Sequence, residues 1–151
     1  MIISEEIAGF LCSPVMLVIG AADMNHRPSV GRGLGVSIVG ADQFDVVISR
    51  AQWPQTVLDI ARNGRVAITA ARPADYVSYQ VKGCAALRDV DEALSAVASA
   101  YCVATGRVLA DLGVPEAMVA QWLFARDLVA ARVQAREVYV QTPGPSAGTA
   151  L

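Results

Sequence analysis

The segments joining this chain's apolar runs are too short to carry crossover helices, and this limits the fold more than any other feature. Val15 to Ala22, Ser29 to Val39 and Phe44 to Arg50 each read as a strand. They are linked only by Asp23-Met24-Asn25-His26-Arg27-Pro28 and by Gly40-Ala41-Asp42, both rich in turn formers. A parallel pair needs a connection of a dozen or more residues, so these strands are expected to form an antiparallel meander. The first strand is apolar on both faces, which implies cover on both sides.

Helix punctuation organises the rest. Ser4 caps a short helix to Leu11, with Ile3, Ile7, Phe10 and Leu11 on one face, and Pro14 ends it. Pro54 opens a second helix that Asn63-Gly64 closes. Arg65 to Ala71 and Tyr79 to Arg88 read as strands around a Pro73–Ser78 loop. Asp89, with Glu92 three residues on as a capping box, opens a helix to Leu112 that keeps Leu94, Val97, Ala98, Tyr101, Thr105, Val108, Leu109 and Leu112 on one face, and a shorter helix runs on from Pro115 to about Phe124. The last strand, Leu128 to Gln141, changes its apolar parity between Ala135 and Val138, as a β-bulge would make it do. The expected architecture is mainly β (α+β). Six antiparallel strands close into a small split barrel with flanking helices, a domain over residues 1–143, followed by a Pro/Gly-rich flexible tail at 144–151.

At 151 residues the chain fits one domain, able to bury about 70% of its unfolded surface. It is 54% hydrophobic and 17% charged, with a mean hydropathy of +0.43. No stretch approaches 18 uninterrupted apolar residues, so the excess apolar surface is expected in a homodimer interface and not in a membrane. Net charge is −2, and basic residues are scattered apart from a short pair at Arg132 and Arg136. That pattern excludes a phosphodiester-tracking stripe, and with it nucleic-acid binding. Three widely spaced cysteines, Cys12, Cys84 and Cys102, give neither a disulfide framework nor a zinc site. With no basic leader segment, a cytoplasmic protein is expected.

Three constellations could carry chemistry. Gly31, Gly33 and Gly35 recur at every second residue and are expected on one strand face, either beneath a flat ligand or under tight packing. Arg32 lies on the other face beside Val30 and Leu34, where a buried guanidinium requires a phosphate or an acidic group from a second subunit. Next, Ser49 and Arg50 end a strand just before a helix whose first residues include Gln55 and Thr56. A hydroxyl, a cation and free helix amides could together cradle a phosphate, or simply form a solvated cap. Finally, Gln80 and Lys82 share a face of the fifth strand, placed to bond the polar edge of a ring and balance its charge, or merely to face solvent. His26 is the only histidine, without the Ser or Cys elbow of a hydrolase triad or the carboxylates of a metal site.

The order and spacing of Pro28-Ser29-Val30, Asn63-Gly64-Arg65-Val66-Ala67-Ile68-Thr69, Gln80-Val81-Lys82-Gly83 and the terminal Val140-Gln141-Thr142-Pro143 resemble the pyridoxamine 5′-phosphate oxidase-like split-barrel family. The resemblance covers roughly residues 4–143. It implies a dimer with FMN in the interface cleft, its phosphate held by hydroxyl and basic residues of the second strand, the third-strand end and the next helix start. On that likeness Arg32, Ser49, Arg50, Gln55, Thr56, Gln80 and Lys82 are the expected contacts to FMN, another flavin or a deazaflavin. Gln55 and Thr56 stand where the oxidases carry an Arg-Lys pair, and the oxidases' arginine- and histidine-bearing C-terminal segment is absent.

Two functions follow from the resemblance. One is an FMN-dependent oxidoreductase of a small molecule. The other is a non-catalytic dimeric flavin-binding, ligand-binding or sensor module. Haem chemistry, known in some split-barrel relatives, would rest on His26 alone.

Overall fold

Asp23 builds the first hairpin. Its carboxylate accepts the Asn25 and Arg27 amides at 2.8 and 2.9 Å, and its own amide donates to the Arg27 carbonyl at 3.0 Å. His26 completes the turn in the left-handed region at φ 62°. The computed structural model describes residues 2–151. The elements run α1 (Glu5–Leu11), β1 (Met16–Ala22), β2 (Pro28–Gly40), β3 (Gln43–Ser49), α2 (Pro54–Asn63), β4 (Arg65–Ala71), β5 (Ser78–Asp89), α3 (Glu92–Asp111), α4 (Glu116–Trp122) and β6 (Leu128–Val140). The strands close into an antiparallel barrel ordered β1-β2-β3-β6-β5-β4, as the short turns require.

Inward residues fill the barrel. Leu17, Ile19, Phe44, Val46, Ile48, Ile68, Val81 and Val133 are almost wholly buried. α2 lies against β1, β2, β4 and β5 and buries Val57 and Ile60. It starts at Pro54 without a side-chain cap and ends at Gly64, whose φ of 69° is the left-handed stop that Asn63-Gly64 signals. α3 packs on β2 and buries Leu94, Ala98, Tyr101, Thr105 and Leu109 of the face expected from sequence, while Val97 and Val108 are half-buried, Leu112 is exposed past the helix end, and the cap is Asp91 and not Asp89. The Tyr101 hydroxyl donates to the Val15 carbonyl at 2.6 Å, and burial pushes its pKa up to about 12. By length and composition α3 could cross a membrane, which the absence of a long uninterrupted apolar run did not anticipate. Here it covers the barrel.

Three register shifts interrupt the ladders, one of them beside the β2–β3 turn between Ile38 and Gly40, and the other two shape the candidate site. In β6, Lys82 pairs with Glu137 and Gly83 with Ala135, leaving Arg136 as the extra residue where the parity switch placed a bulge. In β2, Gly33 pairs with Ile48 but Val36 with Val46, so Leu34 and Gly35 together oppose Val47. This second bulge overturns the expectation that Gly31, Gly33 and Gly35 share a face. Gly31 and Gly33 point inward, the first against Trp53 and Thr56, the second against Leu17 and Val46. Gly35, at φ 111°, turns toward Val97 and Tyr101 of α3. Side-chain packing accounts for all three. Another correction concerns Arg32's neighbours, because Leu34 is 1% exposed but Val30 is 59% exposed.

The residues after β6 are largely exposed, yet they turn back. The Val140 amide donates to the Thr149 carbonyl and the Leu151 amide to the Val138 carbonyl, both at 2.9 Å, with Ala150 bridged to Tyr139.

Gly83→Ala should lower stability by about 3 kcal/mol in urea denaturation, because a Cβ there overlaps the Gln134 carbonyl oxygen in the bulge. Four carboxyls, two half-buried and two exposed, also make the fold acid-sensitive. The Arg27 amide lowers the pKa of Asp23, the Ile3 amide that of Asp42, the Arg72 guanidinium that of Asp75 and the Leu94 amide that of Asp91. A depressed folded-state pKa contributes stability above the ordinary value of 3.8 and loses it as pH falls toward the lower folded values. The thermal midpoint should therefore decline below about pH 4, by a margin that shrinks in the Asp75→Asn variant.

Candidate cofactor site

At the end of β3 the chain must turn sharply into α2, and the polar side chains there secure that turn. Ser49 is fully buried; its hydroxyl donates to the Arg126 carbonyl at 2.6 Å and accepts the Gln52 amide at 3.2 Å. Gln55 donates to Asp59 at 2.9 Å, and Ser29 donates to the same carboxylate at 2.6 Å. Asp59 and Thr56 are each 1% exposed. Gln52 donates to the Gln121 carbonyl, and its own buried Oε1 has no partner among the described residues. An orphaned acceptor calls for a hydroxyl or amide donor, not for a phosphate oxygen. Arg50 reaches solvent, 3.9 Å from the half-exposed Asp127.

Arg32 has a different setting. Its guanidinium lies 4.9 Å from the centre of the Trp122 ring, a cation–π contact, and no carboxylate pairs with it among the described residues. Beside it opens a cavity of about 580 Å³, lined by Met16, Val18, Ala71, Tyr76, Leu109 and Trp122 among others. Apolar walls with two guanidinium groups, Arg32 and the Asp75-paired Arg72, suit a flat, largely apolar ligand with a polar or anionic edge.

The strand register extends this site across the barrel. Arg32 pairs with Val18, Val18 with Thr69, Thr69 with Gln80 and Gln80 with Tyr139. One step along, Val30, Gly20, Ala67, Lys82 and Glu137 form a second row. Every residue of both rows is half-buried or exposed. Gly20 and Ala67 leave a flat floor, because a Cβ on Gly20 would meet only Ala67, at 3.6 Å or more. The Gln80 amide is fixed by donating to the Thr69 hydroxyl at 3.0 Å, and the Lys82 ammonium lies 4.6 Å from the centre of the Tyr139 ring.

The structure thus brings Arg32, Gln80 and Lys82 onto one open barrel face. It buries Ser49 and Thr56, ties the exposed Gln55 to Asp59 and leaves Arg50 at the surface. Sequence reasoning missed Asp45, 2% exposed, which accepts from Arg88 at 3.0 Å and from Arg132 at 2.9 Å. It also missed Arg65, which joins Lys82 and Arg136 around a second cavity. The Arg132–Arg136 pair is in fact split between these two places.

No family model and no curated protein matches the chain. Solved structures share its fold. HupZ of Group A Streptococcus is 16% identical, with a TM-score of 0.60 over 97% of this chain and 99% of that one. A candidate pyridoxamine 5′-phosphate oxidase of Lactobacillus delbrueckii is 15% identical, with a TM-score of 0.56 over 90% and 92%. The heme storage protein HutZ of Vibrio cholerae is 16% identical, with a TM-score of 0.54 over 93% and 95%. Likeness at this level establishes the split-barrel fold alone.

Ser49→Ala should cost about 1–2 kcal/mol of stability in chemical denaturation, since it removes a buried hydroxyl bridging two backbone groups.

Proposed function

We propose that this protein binds a flavin of the FMN type on the open face of its barrel and acts as an FMN-dependent oxidoreductase on a small molecule. The observation that carries this reading is the juxtaposition on one face of the flat Gly20–Ala67 floor, the fixed Gln80 amide, Lys82 and the unpaired Arg32. A planar ring needs a floor without side-chain relief, and Gly20 and Ala67 leave one. The Thr69–Gln80 pair would meet the polar edge of the ring, with Lys82 and Arg32 as cations for a reduced ring or an anionic substituent. The apolar wall of Val18, Met16 and Trp122 would keep water from one side. When bound, the flavin supplies hydride transfer; the chain supplies orientation and charge. A fold shared with a candidate pyridoxamine 5′-phosphate oxidase agrees with this reading.

The same face gives the reading its quaternary form. Val30 is 59% exposed beside that floor, and a second copy seated there would cover it and roof the ring. The proposed unit is a homodimer.

A second reading, a binding or sensor module without turnover, is favoured by the α2 start. Ser49 and Gln55 are already engaged and Thr56 is buried, so their side chains offer a phosphate little.

Titration of the protein with FMN should give a saturable shift of the visible flavin bands. Gln80→Ala should weaken binding about tenfold, in line with loss of a charge-sensitive hydrogen bond of roughly 1.4 kcal/mol. Reduction of the bound flavin by NADH or NADPH separates the oxidoreductase from the module. No uptake of FMN, FAD or a deazaflavin, with a Soret band on adding haem instead, defeats the flavin reading. Val30→Glu should shift the sedimentation profile from dimer to monomer; a monomeric parent protein would end the dimer proposal.

A further inference from the structure

The second row of the open face ends in a pocket that shares Lys82 and the Gly20–Ala67 floor with the flavin reading but holds two cations, Arg65 and Arg136, that the reading leaves unused. Its volume is about 470 Å³, and Arg65, Lys82, Arg136 and His26 stand around a floor of Gly20 and Ala67. Among the described residues no carboxylate pairs with Arg65, Lys82 or Arg136, whereas Arg72, Arg88 and Arg132 each hold an aspartate at 2.9–3.0 Å. The one acid at the rim, Glu137, accepts the Tyr139 hydroxyl at 2.8 Å. Three like charges converge on one hollow in a chain whose net charge is −2. In water of high dielectric that gathering is tolerated; an oxyanion entering the hollow would convert it into attraction.

The backbone is also committed to this arrangement. Arg136 reaches the pocket because it is the bulged residue of β6, the extra side chain beside Glu137. The bulge in turn needs Gly83 opposite, where any Cβ overlaps the Gln134 carbonyl. Bulges re-aim side chains, and this one adds a cation to the row that already holds Lys82. His26, at the rim, is held at a positive φ that non-glycine residues seldom adopt.

We propose that the Arg65–Lys82–Arg136 pocket is an oxyanion site that takes the phosphoryl group of a small organic phosphate. The phosphate belongs either to the tail of a bound mononucleotide cofactor or to a separate phosphorylated ligand; the chemistry recognised is the same. The assignment stands on the pocket's own charges and survives loss of the flavin reading, although Lys82 and the Gly20–Ala67 floor are common to both.

Inorganic pyrophosphate is the probe, titrated calorimetrically into the cofactor-free full chain at low salt. The parent protein should bind one equivalent saturably. Arg136→Gln should weaken binding about fivefold and the Arg65→Gln/Arg136→Gln pair more than about tenfold, as expected for charge-assisted contacts. Glu137→Gln, which removes the opposing charge, should tighten binding, an outcome that damage to the fold does not produce. Absence of saturable binding by the parent, or equal binding by the double variant with unchanged circular dichroism, overturns the proposal. So does a Glu137→Gln variant that binds no more tightly. Prior saturation with FMN blocks pyrophosphate more strongly than riboflavin, whose ring covers only the shared floor, if the cofactor's tail is the source; a flavin-loaded protein that still binds pyrophosphate assigns the site to a separate ligand. A chain that takes up pyrophosphate but no flavin keeps this site and loses the proposed function.

Discussion

The long antiparallel seam between β5 and β6 closes the sheet, and at its middle two backbones approach until only hydrogen fits between them. Gly83 faces the Gln134 carbonyl there, and the ladder resumes past an unpaired Arg136. Without that step, the six strands could not combine the inward set of Val81 and Val133 with the outward row of Lys82 and Glu137 in one continuous pairing. Register along the seam sets which side chains reach the open face. An internal packing requirement and the chemistry of the outer surface are thus two results of the same local geometry.

A parallel tension exists in β2. Gly33 is inward because Leu17 and Val46 occupy the space a side chain would need, and Gly35 is outward because α3 rests on it. The bend between them lets a 13-residue strand serve the barrel wall at one end and seat a helix at the other. Arg32 sits just before this bend, which fixes it on the outer face beside Trp122 and not inside the barrel.

The sequence displayed what is local. Turn residues, the Ser4 cap of α1, the Gly64 stop of α2 and most of the apolar faces of α1 and α3 could be read because each is written within a few neighbouring positions, whereas the α3 cap fell on Asp91 and not on Asp89, because β5 runs on through Asp89. The β6 bulge was legible too, since apolar residues on both sides record the change of parity. The β2 bulge was not, because glycine carries no inside–outside signal and Gly35 leaves the alternation of its neighbours undisturbed. Of the candidate site, Arg32, Gln80 and Lys82 fell on one face through strand parity. The bonds of Ser49 to Arg126 and of Asp45 to Arg132 span 77 and 87 residues and leave no trace in local pattern. Arg65 escaped notice for the same reason: it joins Lys82 only through the β4–β5 ladder.

The returning C-terminal segment has a consequence for how molecules of this chain meet one another in solution. β3 runs out opposite Gln134, so the far third of β6 would present bare amides and carbonyls on that side. Residues 148–151 lie along it and occupy the Val138 and Val140 backbone groups. A raw strand margin is a template onto which any extended chain can add, and a stray copy is the nearest extended chain available. The few exposed residues at the end therefore act as a hem, sealing a sheet that would otherwise fray into its neighbours.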